Sequence, residues 1–136
     1  MAVTANSIIT PQGVQTASVP FGATANLNLI TPTQTTLLLT AGPNGGRLTR
    51  LEALANASQV ATQVQFYRSV DGGTTKTLLR AVAFPAYTLT TTSTIPVLDF
   101  GFSDDNPLIL AAGEKIYEAS AVAVTGLVGR AEWADY

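Results

Sequence analysis

The sequence predicts an all-β domain, a β-sandwich or barrel of about eight or nine short antiparallel strands preceded by an extended N-terminal arm. Three observations predict it. Turn chemistry recurs at Gly42-Pro43-Asn44-Gly45-Gly46, Asp71-Gly72-Gly73, Asp104-Asp105-Asn106-Pro107 and Ala112-Gly113, with short segments of strand character between. Thr and Ala supply 20 residues each of the 136, and Thr favours strands. The segment Val60–Arg68 alternates, with Val60, Val64 and Phe66 assigned inward and Gln63, Gln65 and Tyr67 outward.

Taken in order, residues 1–23 read as the arm and 24–136 as the domain. Thr24–Ile30 is read as a strand with Leu27 and Leu29 on one face and Asn26 and Asn28 on the other. Thr35–Thr40 is a short apolar run. Arg47–Ala55 carries a conflict, because Leu48, Leu51 and Leu54 stand at helical spacing. The glycines ahead of it and Asn56 behind it favour a strand between loops. Val60–Arg68 and Thr77–Phe84 flank Asp71-Gly72-Gly73 as a β-hairpin. Thr88–Thr94 is low in complexity and reads as an extended surface loop. Ile95–Phe100, Pro107–Leu110, Lys115–Val124 and Leu127–Trp133 complete the strands.

Composition excludes several chemistries. With no His and no Cys, the chain cannot build a Ser-His-Asp or Cys-His nucleophile system, a His/Cys zinc site, a disulfide, a haem ligand set or an iron–sulfur cluster. Seven Lys and Arg against nine Asp and Glu leave no basic field for nucleic acid. The start, MAVTANSIITPQG, lacks a basic n-region, and no run approaches ~20 apolar residues. A soluble protein with no membrane partner and a cytoplasmic origin is expected.

The placement of charge points to a surface built for burial. Charged residues are 12% of the chain, about half the usual ~25%, and none precedes Arg47. Amides and hydroxyls are far cheaper to desolvate than charges, and interface cores are depleted in charge. Partner contact is therefore expected from Ile8, Ile9, Pro11, Val14, Val19 and Phe21 in the arm, and from Thr90, Thr91 and Thr92 in the surface loop. Trp133 and Tyr136 are added as anchor types, although the favoured reading of Trp133 is that it closes the end of the core.

Other constellations are weaker. Asp99, Asp104 and Asp105 with Asn106 offer oxygen ligands for a cation, but Asp-Asp-Asn-Pro is ordinary turn composition and the spacing matches no EF-hand loop. Glu114, Glu118 and Glu132 are the carboxylates available for glycoside hydrolysis. Glu114 follows a turn glycine, and the other two are assigned to outward strand phases. Asp71-Gly72-Gly73-Thr74-Thr75 lacks the Lys-Ser/Thr and helix of a phosphate loop. Asn56-Ala57-Ser58 matches a glycosylation sequon by chance. Tyr67 and Tyr87 are the candidate exposed aromatics for a glycan. No catalytic residue, cofactor or metal is expected.

Three segments carry a resemblance: Ala5-Asn6-Ser7-Ile8-Ile9-Thr10-Pro11-Gln12, Leu39-Thr40-Ala41-Gly42-Pro43-Asn44-Gly45-Gly46 and Arg130-Ala131-Glu132-Trp133-Ala134-Asp135-Tyr136. In them the chain resembles small structural proteins of tailed-bacteriophage morphogenesis clusters, in particular head decoration, or cement, proteins of jelly-roll type. The segments are short and scattered over most of the length. The resemblance implies a jelly-roll subunit, self-associated as a dimer or trimer, on the outer face of a capsid. Its partner would be the major capsid protein, its place the virion surface, and its role to hold the expanded shell against internal pressure. Another virion part, such as a head-fibre base, tail or connector component with or without glycan binding, is the alternative.

Overall fold

The computed structural model describes residues 12–136. Nine strands form: β1 (Gly13–Pro20), β2 (Thr36–Thr40), β3 (Gly46–Ala55), β4 (Thr62–Ser69), β5 (Thr77–Phe84), β6 (Val97–Asp99), β7 (Leu108–Leu110), β8 (Lys115–Ser120) and β9 (Leu127–Asp135). No described residue is helical. The strands build two antiparallel sheets, ordered β1-β9-β3-β6, with β7 also on β3, and β2-β8-β4-β5. Strands from the two ends of the chain thus alternate within each sheet. The all-β sandwich is as the sequence predicts.

The core lies between the sheets. Leu48, Leu51, Val64, Phe66, Phe84, Phe100, Ile116, Leu127 and Ala131 are all buried there. Phe66 is central. Its ring meets Phe100 edge-on at 4.6 Å between centroids and Phe21 at 6.2 Å, geometries that aromatic quadrupoles favour.

The leucine spacing in β3 has a physical cause. Opposite β9, Leu48 pairs with Trp133 and Arg50 with Glu132, so Thr49 is an extra residue. This β-bulge resets the alternation. Leu48 and Leu51 therefore both face the core at a spacing of three, and Leu54 turns outward against Val128 and Val97.

Several expectations are corrected. Gly13–Pro20, assigned to the arm, is the edge strand of the first sheet, pairing with Val128–Asp135 along its whole length. Thr24–Ile30 is not a strand. It belongs to an irregular loop, 21–35, that crosses the outer face of the second sheet, with Asn26 buried and Leu27 85% exposed. That loop covers Gln65 and Tyr67, which take the outward phase assigned to them but are buried beneath it. Val60 precedes β4 and is exposed rather than inward. Ile8, Ile9 and Pro11 lie outside the described residues.

Candidate functional site

The outer face of the first sheet is the most charged surface. Register places Thr16, Glu132 and Arg50 in one row and Ser18, Arg130, Glu52 and Asp99 in the next. Arg50 pairs with Glu132 at 3.5 Å, both half exposed, and Arg130 pairs with Glu52. The exposed Arg50–Glu132 pair contributes little, on the order of 0–1 kcal/mol, whereas Glu52 is a buried carboxylate held by a half-exposed Arg130. Beside them an open cleft of about 400 Å³ is lined by Thr49, Arg50, Glu52, Asp99, Phe102 and Asp104. A second hollow of about 280 Å³ continues it toward Val14 and Trp133.

The acidic turn beside this cleft is tied up locally. Asp99 accepts from the Gly101 amide at 3.1 Å, Asn106 donates to the Gly101 carbonyl at 3.1 Å, and the Asp104 carbonyl accepts from Arg47. Among the described residues no three carboxylates come together in a way that could hold a metal ion.

The three glutamates do not converge. Glu132 lies on the outer face of the first sheet. Glu114, fully buried, accepts from Arg68 Nη2 at 2.6 Å and Nε at 3.0 Å at the turn before β8. Glu118 corrects the sequence assignment most sharply, because it points into the sandwich and not outward. It shares its strand phase with Ile116, is fully buried, and neither carboxylate oxygen has a hydrogen-bond partner. Thr36 and Phe66 flank it in register, and across the interior it meets Gly129, where an added Cβ would overlap its Oε2. Desolvation pushes this carboxyl up to about 9, so it is a neutral acid at pH 7.

The outer face of the second sheet is closed by loop 21–35. Asn26 Nδ2 donates to Gln65 Oε1 and to the Tyr67 hydroxyl, each at 2.9 Å, and the Tyr67 hydroxyl donates to Gln65 Oε1 at 2.8 Å. Burial raises the Tyr67 hydroxyl above its ordinary value, opposed in part by the Asn26 bond. Tyr67 is therefore unavailable to a glycan. Tyr87 is half-buried and its hydroxyl is 2.9 Å from Ser93 Oγ.

The predicted contact residues divide. Phe21 is corrected from a contact residue to a core residue, and Trp133 closes the core as the favoured reading has it and not the anchor reading; each is 8% exposed, with the Trp133 indole donating to Asp135 at 3.2 Å. Val19 packs partly against the core, whereas Val14 is 85% exposed. Tyr136 is half-buried and its amide donates to the Gly45 carbonyl at 3.1 Å. Thr90, Thr91 and Thr92 are exposed in a loop held by reciprocal Thr90–Ser93 bonds and by Ser58, which accepts from the Leu89 amide at 2.7 Å.

Sequence reasoning missed one surface. At the end of the sandwich where β1, β3, β5 and β8 finish, the loops 21–35, 56–61, 85–96 and 121–126 begin. None contains an Asp, Glu, Lys or Arg. The signal was in the sequence, since these stretches are as free of charge as the first 46 residues, but only the topology brings them to one end. No protein-family model, curated protein or solved structure matches the chain.

Proposed function

We propose that the chain is a structural virion protein, a decoration subunit that binds the outer surface of a tailed-phage capsid through the major capsid protein and stabilises the expanded shell. The observation that carries this reading is the strand order. With β6 and β7 counted as one interrupted strand, the order β1-β9-β3-β6 facing β2-β8-β4-β5 supports the jelly-roll topology that the resemblance implies.

Two of the three resembling segments also meet in space. In the β2–β3 turn, Gly42 donates to Asp135 at 2.9 Å, Asn44 donates to the Tyr136 carbonyl at 3.3 Å, and Tyr136 donates back to Gly45. The third segment ends at Gln12, whose amide donates to the Asp135 carbonyl at 2.6 Å. The separated glutamates and the filled core support a structural role over a hydrolase. A subunit present in many copies on one shell needs only weak single contacts, because they add through multivalency.

Co-sedimentation of the purified chain with expanded, undecorated heads of its source phage tests the reading. Saturable binding at a fixed ratio to the major capsid protein is the expected result. A folded chain that ignores heads would overturn it and move the protein to the fibre, tail or connector class.

A further inference from the structure

We propose that the uncharged end of the sandwich is the surface through which two copies of this chain associate. The loops there interlock. Gln59 and Tyr87 exchange backbone hydrogen bonds at 2.8 and 2.9 Å, Asn56 donates to the Gly126 carbonyl at 2.7 Å, and Val122 donates to Thr62 Oγ1 at 3.1 Å. This end is thus a formed surface and not a set of independent loops. It exposes Val60 (57%), Leu89 (45%), Ile95 (39%), Val97 (53%) and Val122 (40%) among Thr, Ala and Pro.

Charge narrows the occupant. Every Asp, Glu, Lys and Arg lies in a strand, in the 100–107 excursion or in a turn at the opposite end. A partner that brought a charged group onto the uncharged end would bury it unpaired, which costs several kcal/mol. Nucleic acid and an anionic lipid surface are disfavoured for the same reason. The occupant must itself present an uncharged surface of small apolar and hydroxyl side chains, and the same end of a second copy is such a surface. Self-complementary contact of one patch with itself is how two-fold dimers form. The inference deepens the decoration reading by naming the face on which copies meet. Its primary readout, self-association of the chain, needs no capsid, so either can fail without the other.

The test is analytical ultracentrifugation of the full chain over a wide concentration range, beside Val60→Lys and Val122→Lys. The control is Val70→Lys, at an exposed valine of the β4–β5 turn at the opposite end. Thermal melts confirm that each variant is folded. The expected result is a wild-type chain that self-associates, a loss of association by about tenfold or more in each end variant, and no change in the control. A wild type that stays monomeric throughout would overturn the proposal. So would an oligomer that tolerates both end variants. Folded end variants of a monomeric chain that lose binding to heads would assign the end to the capsid instead, which also overturns it.

Discussion

At the scale of single residues, Glu118 is the unusual element of this core. A carboxyl without partners survives between two sheets because it stays protonated, and because Gly129 leaves room for it. The groups that face it from β2, β4 and β9 and from Phe21 are Thr36, Phe66 and Gly129 and that ring, none of them charged. Its unfolded value is 4.5 and its folded value about 9. Between those values the folded chain holds a proton that the unfolded chain has released. The stability that depends on neutral Glu118 is therefore complete below the unfolded value. It is lost as pH rises toward the folded one, at about 1.4 kcal/mol per pH unit. Urea unfolding should show a loss of about 4 kcal/mol between about pH 5 and pH 8, and Glu118→Gln should remove most of that slope. A slope that survives in the variant would locate the titration elsewhere. Gly129→Ala meets the same carboxyl from the other sheet. Overpacking of this kind costs about 1–3 kcal/mol, and pairing the substitution with Glu118→Ala should recover part of the loss. Additive losses in the double variant would show that the two residues do not share the space.

At the scale of elements, the loop 21–35 takes the place of a strand as the cover of the second sheet, and Asn26 is its anchor. Asn26→Ala leaves Gln65 and Tyr67 buried with fewer partners, which costs about 1–3 kcal/mol. Hydrogen exchange should then quicken in the loop while β4 and β8 stay protected; unchanged exchange there would mean that the loop is held by other contacts. This element also marks where the sequence stops being legible. The hairpin Thr62–Ser69/Thr77–Phe84 and the strands β7 and β9 are readable because turn residues bracket them and alternation runs through them. Alternation sorts residues onto two faces but does not say whether irregular chain covers the outer one, so Gln65 and Tyr67 read as exposed. In β8 two rules collide. Period two puts Glu118 with Ile116, while the tendency of charges to face water puts it outside. The backbone period decides, and the carboxyl adapts by keeping its proton. In β3 the bulge at Thr49 breaks the period and imitates helical spacing. The uncharged end was invisible for another reason, since it is assembled from loops far apart in sequence.

At the scale of the whole molecule, the polarity of charge gives the subunit two unlike ends, and residues 1–11 of the sequence carry no charged side chain. The arm assigned to residues 1–23 must be divided at the start of β1. Removing residues 1–11 leaves all of the β1–β9 pairing in place, so the shortened chain should melt within a few degrees of the full one. Removing residues 1–20 takes away the strand, the partly buried Ala17 and Val19, and the hydrogen bonds that cover the edge of β9. At about 0.5–1.5 kcal/mol net for each lost hydrogen bond, plus the apolar burial, that deletion should cost several kcal/mol. It should also bare an edge prone to aggregation. The 12–136 chain therefore separates contact from folding. If the uncharged segment carries contact with the capsid, this chain keeps its melt and binds heads more weakly than the full protein, measured by co-sedimentation at matched concentrations. Equal occupancy by the two chains would place the contact on the sandwich itself, where the outer face of the first sheet is the surface not assigned to contact between copies.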